Sequence, residues 1–182
     1  MKKGLLMFLA LLLPVMIFLF LKTFGKNEFE VPVLFADSVG VACEEYTYKI
    51  PYVIEDSVLK KLSWNEEDSL TIIVFEDGNT IDQHERKIQM ERVFTEFKNT
   101  PLQIVRISGS SRIAKSDNRI VNISLSEPDF QRMRDCNFLL SGLNNTVIID
   151  RHKRIRGQYN LLKREDADRM IMQEMNILLK RY

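Results

Sequence analysis

Three kinds of side chain in this 182-residue chain could carry chemistry: two cysteines, two histidines, and the carboxylates gathered around residues 76–85. Cys43 and Cys136 stand far apart, with no metal-ligand spacing. A thiolate pair at a helix N-terminus would be nucleophilic or metal-binding. Yet the turn where such a pair belongs, Glu76-Asp77-Gly78-Asn79-Thr80-Ile81-Asp82-Gln83-His84, contains no cysteine. Its acids and His84 match no calcium loop, and imidazole is an unusual partner for a hard cation. The simpler reading makes Asp77-Gly78-Asn79 a tight turn and Asp82 the cap of the following helix. His152, within Arg151-His152-Lys153-Arg154, reads as a solvated hairpin residue.

For Cys43 and Cys136 two readings stand. In an oxidising compartment they would pair and tie the N-terminal arm to the body of the domain. Otherwise each is a separate thiol, with Cys136 at the apolar end of a helix over Met133–Leu140. Phosphate-binding glycine loops, zinc-type Cys/His spacing and a trustworthy Ser-His-Asp order are all missing from the sequence.

The elements that must hold these residues follow from apolar periodicity. Leu70–Phe75 is a short, β-branched, buried strand. A helix over about 83–98, with Ile88, Val93, Phe94 and Phe97 along one side, precedes a strand at 102–108. Strand, crossover helix and strand form a right-handed parallel unit. Residues 119–125 alternate like an edge strand, and Ser126-Glu127-Pro128-Asp129 opens a helix with a serine cap and proline in the first turn. Thr146–Asp150 and Ile155–Tyr159 form a hairpin. A last amphipathic helix over about 164–181 carries Met170, Ile171, Met175, Leu178 and Leu179 on one face. This order predicts an α/β domain with a thioredoxin-like fold, a central mixed sheet flanked by helices.

The domain boundaries are expected at 1–26, 27–65 and 66–182. The first segment, with an apolar run from Gly4 to Leu21 between Lys2-Lys3 and Lys22, reaches roughly 27 Å as a helix and reads as an uncleaved transmembrane signal-anchor, a removed signal peptide being the other reading. The lysine balance places the N-terminus in the cytoplasm and the remainder in the periplasm, anchored to the inner membrane by a single pass. Residues 27–65 form an extended lead-in with a short helical turn at Ser57–Leu62. Of 26 lysines and arginines, four lie in the first 26 residues, leaving 22 against 25 acids, a balance that disfavours nucleic-acid binding. The densest basic patch, Arg151, Lys153, Arg154, Arg156, Lys163 and Arg164, reads as a solvated turn.

Three segments carry a family resemblance: the anchor with Phe24-Gly25-Lys26-Asn27-Glu28-Phe29-Glu30-Val31-Pro32-Val33, the hairpin Ile148–Tyr159, and the helix that follows it. The hairpin is similar to the pattern Leu-Val-Asp-x-x-x-x-Ile-Arg-Gly-x-Tyr. The chain resembles the Sco/SenC family, membrane-anchored thioredoxin-like proteins that deliver copper during cytochrome c oxidase assembly, and particularly its Bacteroidota members. The resemblance implies a site with two cysteines and a histidine. Here those positions fall on Gly78, Asp82 and Gly142. Glycine and aspartate cannot replace thiolate and imidazole for copper(I), nor can they attack a disulfide.

The expectation is therefore a degenerate, redox-inactive interaction module with no catalytic residue, cofactor or metal. It would be attached to the membrane, bind an unidentified protein partner, and attend oxidase assembly. The alternative is a copper chaperone or thiol oxidoreductase that uses displaced ligands, Cys43 and Cys136.

Overall fold

The computed structural model describes residues 12–20, 22, 30–40, 43, 46–77, 80–109 and 120–180, without the side chains of 80–83. Two compact units are present, Met1–Glu30 and Val31–Tyr182. In the first, residues 12–20 are helical and their apolar side chains are exposed. Among the described residues no helix is long and apolar enough to cross a membrane. Most of the expected anchor lies outside the described residues.

In the second unit the elements are α1 (Asp56–Lys61), β1 (Leu70–Glu76), α2 (Thr80–Glu96), β2 (Leu102–Ser108), β3 (Ile120–Ser124) and α3 (Glu127–Arg132), the last running into a π-turn at Met133–Asn137. Then come β4 (Thr146–Asp150), β5 (Ile155–Tyr159) and a closing helix. That helix starts as α4 (Arg164–Asp168), passes through a π-segment (Arg169–Glu174) and ends as α5 (Met175–Leu179). The five strands form one mixed sheet in the order β3-β2-β1-β4-β5. β1 runs parallel to β2, with Leu70 opposite Leu102, and β2 runs parallel to β3. β4 is antiparallel to β1 and to β5.

Because side chains alternate across a strand, β1 feeds two cores. Leu70, Ile72 and Val74 pack on one face with Met90 and Val93 of α2, with Phe97 just after it, and with Met170, Ile171, Met175 and Leu178 of the closing helix. Ile73 and Phe75 face the other way, into Leu59 and Leu62 around α1, Phe130 of α3, and Phe138. The lead-in completes this second core with Tyr52 and Ile54. Its backbone is tied to the hairpin by Leu34 N–H donating to Ile155 O (2.9 Å) and Ile54 N–H to Lys153 O (3.0 Å).

The local signals explain most boundaries. Ser126 Oγ accepts from Asp129 N–H, with proline in the first turn of α3, as the sequence predicts. Three expectations need correction. α2 begins at Thr80, so Asp82 lies inside its first turn and is not the cap. Ile88 is 39 % exposed, and the buried described side chains of α2 are Arg86, Gln89, Met90 and Val93, followed by Phe97 just past its end. The basic patch is not a solvated turn throughout, since Arg156 is buried and ion-paired while Lys153 binds Asp56 (2.5 Å).

Candidate functional site

The turn after β1 and the turn before β4 meet at one end of the sheet. Asp77 leaves the first, and Gly142, with φ +60°, shapes the second. Both line a cavity of about 300 Å³ whose floor includes Phe75 and Phe130 and whose polar lining includes Arg86 and Arg134. Gly78 lies outside the described residues, as does the side chain of Asp82, while Asp77 marks where the first turn leads.

Two arginines dominate the electrostatics. Arg86 projects from α2 and is 2 % exposed; its Nη2 donates to Asp77 Oδ1 at 3.0 Å, and its Nε has no hydrogen-bond partner. Arg134, in the π-turn after α3, donates from Nη2 to the carbonyls of Gly142 (2.8 Å) and Asn144 (3.1 Å), which fixes the glycine turn. Its Nη1 binds Asp135 at 2.6 Å. Behind them Asn145 Oδ1 accepts from Thr146 Oγ1 and Leu161 N–H, so the amide is held in place.

Among the described residues, the acids that might have gathered a cation are committed elsewhere. Glu76 pairs with Arg106 Nε (3.0 Å), Asp77 with Arg86, and Glu85 accepts from Gln89. His84 is exposed. Among the described residues no group of three or more His, Cys, Asp and Glu side chains is arranged to hold a metal ion. Two guanidinium groups on the cavity wall also oppose the entry of a cation.

Cys43 and Cys136 form a disulfide, with Cα atoms 5.6 Å apart. Of the two readings open from sequence, the structure holds the pair. Neither sulfur lines the cavity. The bond is set among aromatic side chains: Tyr48 Oη donates to Cys136 O (3.1 Å) and Tyr52 Oη to Asn137 O (2.6 Å). Burial raises the pKa of both phenols.

Arg86 and Arg134 escaped sequence reasoning. One signal was present for Arg86, because it stands at i, with Met90, Val93 and Phe97 at i+4, i+7 and i+11. A charge on an otherwise apolar helical stripe marks a side chain directed inward. Arg134 had no comparable signal.

Within the sheet, β1, α2, β2, β4, β5 and the closing helix reproduce a parallel crossover unit followed by an antiparallel hairpin and helix, in the order β2-β1-β4-β5. The fold is thioredoxin-like. Solved structures similar to this chain include Sco-family proteins and a thioredoxin domain. A SCO1/SenC family lipoprotein from Bacillus anthracis is 13 % identical, with 65 % of this chain and 84 % of that one covered and a TM-score of 0.46. Copper-bound ScoI of Arabidopsis thaliana is 12 % identical, covering 63 % and 86 %, with a TM-score of 0.46. The thioredoxin domain of a thiol-disulfide oxidoreductase from Bacteroides vulgatus is 14 % identical, covering 59 % and 80 %, with a TM-score of 0.44. No family model matches the chain, and no curated protein does.

Proposed function

We propose that this thioredoxin-like domain is a membrane-anchored interaction module that has lost redox and copper chemistry and serves as an accessory in cytochrome oxidase assembly. The observation that carries the loss is the composition of the cavity between the Asp77 and Gly142 turns. Among the described residues two guanidinium groups and a carboxylate line it, and neither cysteine does. Copper(I) favours soft thiolate and thioether donors with imidazole, and guanidinium supplies none of these. Thiol-disulfide exchange at this site needs a sulfur that lines it, and the two cysteines of the chain, joined to each other, are not in its lining.

Support for the setting comes from other features. The apolar run Gly4–Leu21 is long enough to span a bilayer, and its flanking lysines favour a cytoplasmic N-terminus. A disulfide suits an oxidising compartment such as the periplasm. The oxidase connection rests on the resemblance of the hairpin and leader to Sco/SenC proteins, and fold alone does not set function.

An anaerobic copper(I) competition titration of the full chain in a neutral detergent tests this reading. No tight stoichiometric uptake is expected. Tight one-to-one binding that disappears in Cys43→Ser or Cys136→Ser would establish the displaced-ligand chaperone instead.

A further inference from the structure

The cavity that lacks thiols has other means of binding. Arg86 lines it while only 2 % exposed, and its buried Nε is unpaired, an arrangement that ordinarily costs free energy unless an acceptor arrives. Arg134 supplies a second guanidinium from the facing turn, with Asp135 partly neutralising it from outside the lining. Among the described residues the lining ionisable groups are thus two cations against one carboxylate, Asp77, whose side chain is 62 % exposed and already rests on Arg86. The rest of the lining is mixed, with Gln131, Asn144, Asn145 and Asn160 beside apolar side chains. Phe75 and Phe130 are buried in the floor, and Leu143, at 77 % exposure the most exposed large apolar side chain among the described residues, stands at the lip.

From this arrangement we propose that the cavity binds a carboxylate carried on an apolar group, as at the C-terminal residue of a partner polypeptide. The carboxylate displaces Asp77 from the Arg86 fork and reaches Arg134, while the apolar group covers Leu143 and meets the phenylalanine floor. A planar guanidinium matches a carboxylate in both charge and geometry. Asp77 then acts as a resident competitor that keeps Arg86 compensated while the cavity is empty. This rests on reading the same face as a binding face without redox chemistry, and the two ideas fail separately. Copper uptake by the wild type would overturn that reading without bearing on carboxylate binding.

The test uses leucine-methyl NMR of the full chain in neutral detergent, titrated with N-acetylphenylalanine and, in parallel, with its amide. The acid is expected to shift Leu143 and Leu162, and the amide to bind about tenfold more weakly, the loss expected for one charge-assisted contact. Asp77→Asn removes the resident carboxylate and should tighten binding of the acid several-fold, an effect that a merely structural role for Asp77 would not give. Arg134→Gln should weaken it. Equal binding of acid and amide, or Asp77→Asn that leaves acid binding unchanged or weaker, would overturn the proposal. Asp77 is exposed, so that variant decides the matter even if Arg134→Gln fails to fold.

Discussion

Arg156 Nη1 meets Asp150 Oδ2 at 3.3 Å across the β4–β5 hairpin, with both side chains buried. The same arginine donates to the Val31 carbonyl, so the hairpin pins the start of the lead-in. Asp150 also accepts from His152 N–H (2.9 Å) and Arg154 N–H (3.0 Å), which closes the turn. Removing one partner of a buried ion pair leaves the other uncompensated. Asp150→Ala should therefore lose about 3–5 kcal/mol of stability in urea unfolding. A loss below about 1 kcal/mol, the size of an exposed pair, would contradict this account.

Gly157 is required by its neighbour. A Cβ at this position would lie 2.0 Å from Tyr159 Oη and 2.4 Å from Cζ, and that ring is buried with its hydroxyl bonded to Glu174. Gly157→Ala should cost about 1–3 kcal/mol through overpacking, read as a lowered melting temperature. An unchanged melt would mean that the ring moves aside freely.

The Cys43–Cys136 bond closes a loop with a sequence separation of 93. Constraining an unfolded chain in this way typically stabilises by about 2–4 kcal/mol. Reductant, or Cys43→Ser, should lower the unfolding midpoint accordingly, and peptide mapping without reductant should recover the linked pair. Recovery of two free thiols from protein kept oxidised would contradict the pairing.

Alkaline pH should weaken the domain through its buried phenols. Burial raises the pKa of Tyr52 above its ordinary 10.0, with nearby Tyr48 and Glu55 adding to the shift. Burial and Glu174 raise that of Tyr159. A raised value means the stability contribution is fully present below the unfolded pKa and is lost as pH climbs from about 10 towards the folded value. Tyr52→Phe removes the hydrogen bond to Asn137 O, so at neutral pH it should be less stable by about 1 kcal/mol. Its deficit should shrink above about pH 10, measured by urea unfolding across the alkaline range. A constant deficit would show that Tyr52 ionises as readily folded as unfolded.

The strands were legible because burial on one or both faces writes itself into sequence as alternation or as an apolar run. β1, β2 and the hairpin fall where Leu70–Phe75, 102–108 and Ile148–Tyr159 predict them. The hairpin pattern Asp-x-x-x-x-Ile-Arg-Gly-x-Tyr now has a physical basis. Asp150 closes the turn, Arg156 pairs with it, and Gly157 makes room for Tyr159. These are structural roles, which explains why the pattern reports the fold while leaving the chemistry open. The cavity was less legible, since Arg86 and Arg134 act by converging in space from elements about 50 residues apart, and no local spacing records that. The start of α2 was misplaced because an acid in a first turn looks much like a cap in sequence.

The central claim is that the domain keeps a thioredoxin-like frame whose copper and redox ligands are gone. Its most direct test compares anaerobic copper(I) competition titrations of the wild-type full chain and of a Gly78→Cys, Asp82→Cys, Gly142→His variant under identical conditions. The account predicts a silent wild type and tight, one-to-one binding restored in the variant. Tight binding by the wild type, or a well-folded variant that remains silent, would contradict it.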